Sequence, residues 1–391
     1  MTSTIKADVV TAQTTNGNVT LQGNGTGGVT IQGQDYPTAG GLWTGRNLWI
    51  NGDFTISQRA TSASSITSAG FHTVDRFYFN YGALGTWTLS QSTDVPSGKG
   101  FGYSFKADCT AADASPAVGD KLLVAQSIEG QNLQRLKKGT SDAEDITISF
   151  WVKSGLTGVH IVEIYDNDNG RSINKSYTIA SADTWENHSI TFAGDTTGAL
   201  TNDNNTSLTI GFWLGAGTNF TSGTLATSWA TASNVNRAVG QVNLANHTDN
   251  NWLITGIMVE AGSSATPFEF ESPAETLQKC QRYYERVDLA QTSGEFFMNG
   301  YAYSTTFLVG VHHYRIKKRA APTVTFSAAA TWRNYHENTS TVCSGIGVQS
   351  AASVNSVGVY GQVGSGLTAG NGGTLSRDAT DTTFIEISSE L

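Results

Sequence analysis

The stretch DITISFWVKSG (Asp145–Gly155) alternates without a break. Ile146, Ile148, Phe150 and Val152 fall on one side, and Thr147, Ser149, Trp151 and Lys153 on the other. Successive side chains of a strand point to opposite faces, so this period fits a strand with one buried and one wet face. The pattern recurs from residue 46 to residue 271, in RNLWINGDF, VDRFYFNYG, TWTLSQS, GYSFKAD, KLLVAQSIE, VHIVEIYDN, RSINKSYTI, TWENHSITF, SLTIGFWLG and NWLITGIMVEAG. Gly, Asn, Asp and Ser lie between the segments and supply tight turns. About eleven such strands over roughly 225 residues predict an all-β fold, a two-sheet sandwich of jelly-roll type. Within it, GQNLQRLKKG (Gly130–Gly139) is expected to form one or two turns of helix.

Charge narrows the function classes. Charged residues make up only 14%, against roughly 25% in an ordinary soluble domain. The net charge of -9 argues against nucleic acid as a partner, which needs clustered Lys and Arg. The short basic run YRIKKRAAP (Tyr314–Pro322) reads as a solvated strand end before a Pro turn. Cys109, Cys280 and Cys343 are far apart and odd in number, which suits neither a disulfide framework nor a metal site with close ligand pairs. MTSTIKADVV lacks a basic stretch followed by an apolar one, so no secretory signal is expected. No apolar run approaches the roughly 20 residues that span a bilayer, so no membrane insertion is expected.

The chain divides into four segments. Residues 1–45 contain the near-repeat NGNVTLQGNGTGGVTIQG (Asn16–Gly33) and a Gly/Pro-rich linker. Each copy offers a short strand with little apolar area, marginal alone in water. Val19, Leu21, Val29 and Ile31 therefore call for partner chains, and a homotrimer about a threefold axis is the economical solution. The competing reading is a disordered tail with chance self-similarity. Residues 46–271 form the sandwich. Residues 272–289 are expected to be a connecting helix: Ser272 caps it, Pro273 opens it and Glu275 completes a capping box. Its apolar stripe is Leu277, Cys280, Tyr284 and Val287, packing either on the sandwich or on symmetry mates. Residues 290–391 return to alternation and predict a separate C-terminal β-sandwich domain.

NLWINGDFTISQRA (Asn47–Ala60) followed by VDRFYF (Val74–Phe79) resembles the start of a jelly-roll module common in bacteriophage tail fibres and prophage proteins. WLITGIMVEAGSSATPFEFESPAETLQKCQRYYER (Trp252–Arg286) resembles the end of that module and its following CQRYYE helix. The opening is also similar to some jelly-roll carbohydrate-binding modules of bacterial glycosidases. The resemblance implies a virion fibre protein on the tail or capsid exterior. Its N-terminus would meet other virion structural proteins, and its β-domains would bind host-surface polysaccharide noncovalently. Neither enzyme activity nor a cofactor is implied.

The motifs for other chemistry are weak. PSGKG (Pro96–Gly100) is no phosphate loop, because Thr93 occupies the first Gly position and Gly100 follows Lys99. DNDNGRS (Asp166–Ser172) has alternating oxygen donors, but position 177 is Tyr rather than a bidentate acid, so a hairpin turn competes with a calcium loop. His312 and His313 are adjacent on a strand and point to opposite faces. No acidic pair stands out for glycoside cleavage. Sugar binding uses aromatic faces and amide side chains, and both are plentiful. Trp151, Trp185 and Trp213 in the sandwich, and Tyr301, Tyr303, Trp332 and Tyr335 in the C-terminal domain, are the candidates. For each, the competing reading is a core aromatic.

Overall fold

The structure, a computed structural model, describes residues 29–31, 34–36, 45–289, 296–378 and 383–391. Val19 and Leu21 lie outside the described residues. In chain order the first strands are β1 (Val29–Ile31), β2 (Gln34–Tyr36), β3 (Ser62–Ile66), β4 (Tyr78–Gly82), β5 (Thr86–Ser92), β6 (Ser104–Ala111) and β7 (Lys121–Glu129). Next come β8 (Ile146–Ser154), β9 (Gly158–Asp166), β10 (Arg171–Ile179), β11 (Glu186–Phe192), β12 (Thr206–Ala216), a single turn α1 (Thr218–Thr221), β13 (Ala230–Thr231) and β14 (Asn251–Ala261). The helix α2 (Pro273–Gln281) leads to β15 (Tyr284–Asp288), β16 (Phe296–Ala302), β17 (Phe307–His313), β18 (Thr323–Phe326) and β19 (Trp332–His336). The chain ends with β20 (Thr339–Val342), β21 (Gly345–Ser350), β22 (Ser356–Gln362), β23 (Gly372–Arg377) and β24 (Phe384–Ser388).

The fold is all-β and built on a jelly-roll sandwich. One sheet runs β13-β10-β9-β12-β7-β4 and the other β11-β8-β14-β6-β5-β3, and every pairing is antiparallel. The faces turned inward are those the alternation marks. Ile146, Ile148, Phe150 and Val152 of β8 are buried, as are Val162 and Ile164 of β9 and Ile210 and Phe212 of β12. Phe212 is the pivot: its ring lies 5.1 Å from Phe150, 5.9 Å from Trp252 and 6.1 Å from Trp49. Such edge and tilted aromatic pairs add to the burial of each ring.

Several expectations need correction. Arg46–Phe54 is not a strand. Asn47 instead takes over ladder bonds with its side chain: its Oδ1 accepts from Trp49 N and Val259 N, and its Nδ2 donates to Ile257 O. The Gln126 amide likewise exchanges two bonds with the Ile50 backbone. Side-chain bonds, most of them to residues distant in sequence, thus stand in for regular pairing here. Gly130–Gly139 does form two short helical turns, of 3-10 type, at Gly130–Asn132 and Gln134–Leu136. β1 pairs with Gln34–Tyr36, which the sequence reading places in the linker; Val29 and Ile31 lie in that strand.

The connecting helix is shorter than its apolar stripe suggests. The capping box of Ser272 and Glu275 is present, but α2 stops at Gln281. Leu277 and Cys280 are on the helix, whereas Tyr284 and Val287 belong to β15 and pair with Ser388 and Ile385 of β24. A long-range ladder to the last strand overrides the local three- and four-residue spacing. The C-terminal unit therefore includes β15. It contains a three-stranded sheet, β15-β24-β18, and a seven-stranded sheet, β20-β19-β23-β16-β17-β22-β21. Its core holds Trp332, Leu375, Ile385 and Ile387.

Arginines join the two units. Arg76, with a side chain only 1% exposed, pairs with Glu390 and lies 3.5 Å over the Tyr283 ring. Arg59 pairs with Glu390 at 3.1 Å and lies 3.5 Å over Tyr284. Arg282 grips Glu129 through bonds of 2.8 and 2.7 Å. Arg319 donates to the carbonyls of Ser389, Glu390 and Asn204.

Asp75 sits at this junction. It accepts from Gln58 N, and the Gln58 amide also donates to Tyr284 O across the boundary. Burial pushes the Asp75 carboxyl up to about 6 from its ordinary 3.8, outweighing Arg59 and the Gln58 bonds. The folded protein thus holds this proton more tightly than the unfolded chain. The stability it contributes is present below about pH 4 and is lost as pH rises through about 6. Relative to Asp75→Asn, the wild type should lose about 2 kcal/mol between pH 4 and 7, at roughly 1.4 kcal/mol per pKa unit. Urea unfolding of both proteins at several pH values checks this; a constant difference refutes it.

Candidate functional site

Four neighbouring strands, β9, β12, β7 and β4, turn one face to the core and the other outward. On the outer face the register aligns Glu163 with Gly211, Gly211 with Ala125, and Ala125 with Tyr78. A second row aligns Tyr165 with Thr209 and Thr209 with Ser127. The central positions are small and the flanking ones large, so the sheet carries a trough. Its walls stand three strand spacings apart, about 14 Å. The resulting groove has a volume of about 430 Å³ and is lined by Phe71, Tyr78 and Tyr165 together with Asn80, Asn167, Thr209 and Ser127. Leu391 lines it as well. Gly211 is what opens the floor: a Cβ there would come 2.8 Å from Leu123 Cδ1.

One ion pair organises the β9 wall. Glu163 is 1% exposed. It accepts bonds of 2.6 and 2.8 Å from Arg237 and one of 3.2 Å from Trp213 Nε1. Burial works against the Arg237 charge, but the bonds it donates to Glu163 outweigh it and hold the guanidinium above its ordinary value. Arg237 in turn lies 5.1 Å from the Tyr165 ring and steadies it. On the opposite wall the Phe71 and Tyr78 rings meet edge to face at 5.1 Å. Between the walls, Ser127 and Thr209 hydroxyls lie 3.1 Å apart, and the Asn167 amide donates to Thr209 at 3.0 Å. The site therefore offers aromatic faces, hydroxyls and amides, with one guanidinium.

A larger cavity, about 650 Å³, lies between β7 and α2. Several of its polar groups are already committed: Gln126 to Ile50, Arg135 to the carbonyls of Gly45 and Arg46, and Arg282 to Glu129. The groove is the better candidate on chemical grounds.

The structure separates the aromatic residues expected to bind. Trp213 is fully buried, so it offers no stacking face; the segment from α1 to Ala238 covers it, with Phe220 5.4 Å away. Trp332 is fully buried too, bonded to Ser327 Oγ and packed against Phe297. Both are corrected to core residues. Tyr301, Tyr303 and Tyr335 are exposed on the C-terminal unit, and Phe296 meets Tyr335 edge to face at 5.9 Å. Trp151 and Trp185 are half-buried on the outer face of the sandwich's other sheet. Tyr78, Asn80, Glu163 and Arg237 are among the groove residues that sequence reading misses. Parity places Tyr78 and Tyr165 outward, but nothing local marks Arg237.

DNDNGRS is a hairpin turn. Asp166 is fully buried, paired with Lys138 and accepting from Asp168 N and Asn169 N, so its oxygens are taken. Among the described residues no cluster of His, Cys, Asp or Glu could hold a metal ion. His312 stacks on Phe297 at 4.6 Å, while His313 is exposed.

No family model and no curated protein matches the chain. Among solved structures, it is similar to the enzymatically active domain of tailspike protein 4 from bacteriophage CBA120, at 13% identity and a TM-score of 0.30, covering 55% of this chain and 21% of that one. The chain thus spans about a fifth of that structure's length. It is also similar to a putative sugar binding protein from Bacteroides thetaiotaomicron VPI-5482, at 13% identity and a TM-score of 0.30, covering 55% and 99%. A family 11 carbohydrate-binding module from Clostridium thermocellum, in complex with a mixed-linked tetrasaccharide, shares 14% identity and a TM-score of 0.25, covering 54% and 99%.

Replacing Glu163 by Ala strips acceptors from Arg237 and the Trp213 indole at once. Removing one partner of a buried pair leaves the other uncompensated, so about 3 kcal/mol of stability should be lost. Chemical denaturation measures it, and a loss within about 0.5 kcal/mol, typical of a surface change, refutes the assigned role.

Proposed function

We propose that the groove binds an oligosaccharide noncovalently, and that the chain is a bacteriophage virion fibre protein which presents it to host-surface polysaccharide. The groove carries the reading. Pyranose rings expose apolar C–H faces, which suit the walls of Tyr165 and of Tyr78 with Phe71. Their hydroxyls suit the strip of Asn80, Asn167, Thr209 and Ser127, where both donors and acceptors are available.

Binding is favoured over cleavage by a specific arrangement. Glycoside hydrolysis uses two carboxyl groups about 5 to 9.5 Å apart. Among the residues lining the groove, Glu163 holds the only side-chain carboxylate, and Arg237 and Trp213 occupy it. A polysaccharide depolymerase is therefore the weaker reading.

The fibre assignment is supported by the sequence resemblance of Asn47–Ala60 and Trp252–Arg286. In this proposal residues 1–45 attach the chain to other virion structural proteins and hold a homotrimer, so that weak sites act together. Tail attachment is the first choice, and a capsid fibre or decoration protein would use the same parts.

Titration calorimetry with fragments of host-surface polysaccharide tests the groove. Tyr165→Ala and Tyr78→Ala should each weaken binding at least about tenfold, equivalent to 1.4 kcal/mol. Gly211→Leu should abolish binding while the protein stays folded, since the atom in its way is a Leu123 methyl. Binding indifferent to all three changes would sink the proposal, and release of reducing sugar would replace it by the depolymerase.

A further inference from the structure

The sandwich has a second outward face, on the sheet that contains β8 and β11. The register sets Asn187 of β11 opposite Trp151 of β8, and Glu186 opposite Val152. Val152 faces the core, so Trp151 and Lys153 face out, as does Trp185 by alternation from Glu186. Trp185, the residue just before β11, thus lies next to Lys153 and diagonal to Trp151. Diagonal neighbours of this kind lie roughly 7–8 Å apart, within reach of aromatic side chains.

Asp94 ties this corner together from a distant loop. Its Oδ1 accepts from Trp185 Nε1 at 3.0 Å, and its Oδ2 accepts from Lys153 Nζ at 2.7 Å. Its own backbone is fixed: Ser104 Oγ donates to the Asp94 carbonyl, and Asp94 N donates to Ser92 Oγ. Lys99, from the same loop, lies 5.4 Å over the Trp151 ring. The one polar atom of the Trp185 indole is therefore satisfied. What Trp185 still shows to water is ring carbon, oriented by the Asp94 carboxylate that also holds the Lys153 ammonium.

Trp151 and Trp185 stay half-buried at the surface, each with its ring held by a charged neighbour. Their chemistry, planar rings beside hydrogen-bonding groups of both signs, fits a sugar ring better than an apolar protein face. We infer that Trp151 and Trp185, braced by Asp94 and Lys153, form a second carbohydrate-contact surface, on the sheet opposite the groove. It does not depend on the groove's being a binding site, because it shares no residue with it. Together the two would make each chain bivalent toward a polysaccharide.

The experiment uses the full chain and a panel of neutral and uronate-containing oligosaccharides, with tryptophan fluorescence and calorimetry as readouts. Trp151→Ala and Trp185→Ala should each weaken one class of binding at least tenfold. Tyr165→Ala in the groove should leave that class within about twofold. Trp185→Phe keeps a ring and loses the N–H, so it should retain binding within about threefold. If Trp185 merely staples the loop, Phe fails as Ala does, and the inference falls. Denaturation midpoints for each variant confirm that the protein is folded. Saccharide binding that survives both alanine changes, or no saccharide binding that depends on either residue, overturns the proposal. Loss confined to the groove variants keeps the groove reading and removes this one; loss confined to the tryptophan variants does the reverse.

Discussion

The contact between Phe150 and Phe212 fixes the parity of everything outside it. Their rings meet at 5.1 Å across the sandwich, one from each sheet. A slip of one residue in either strand would turn an aromatic ring into water and a polar side chain into the core. Once Phe150 faces in, Trp151 must face out. Once Phe212 faces in, Gly211 and Trp213 must face out. Both candidate surfaces are thus the outward halves of strands whose inward halves build the core.

Parity alone does not decide what meets solvent. Trp151 and Trp213 both point away from the main core, yet their fates differ. The chain from α1 to Ala238 folds back over Trp213, and with Leu123, Ile161 and Phe220 it forms a small second core. There the indole N–H becomes a donor to Glu163, and the residue supports the groove from beneath. Among the described residues no comparable segment covers Trp151, where the loop around Asp94 braces the edge instead. The same residue type at the same parity is support in one place and surface in the other.

This difference explains what could be read from the sequence. Period-two alternation locates TWTLSQS, KLLVAQSIE and RSINKSYTI residue for residue as β5, β7 and β10. The capping box locates the start of α2. These signals are local, written into consecutive residues. The groove is not. It arises because Gly211 and Ala125 are small at aligned positions on neighbouring strands, and because Arg237 reaches in from a loop without periodicity. The end of α2 is illegible for the same reason: Tyr284 and Val287 keep helical spacing with Cys280, but β24, a hundred residues on, claims them.

The two units and the groove are physically linked. Arg76 pairs with Glu390 and also donates to the carbonyl of Ser127, a residue of the groove floor. Leu391, next to Glu390, lines the groove itself. The position of the C-terminal unit therefore helps to set the shape of the site on the sandwich. A ligand that touches both would favour the docked arrangement, because anything that binds only the docked state stabilises it by mass action. The arginine-rich junction is thus more than a hinge between two β-domains. Its buried pairs fix the geometry in which one end of the groove is completed.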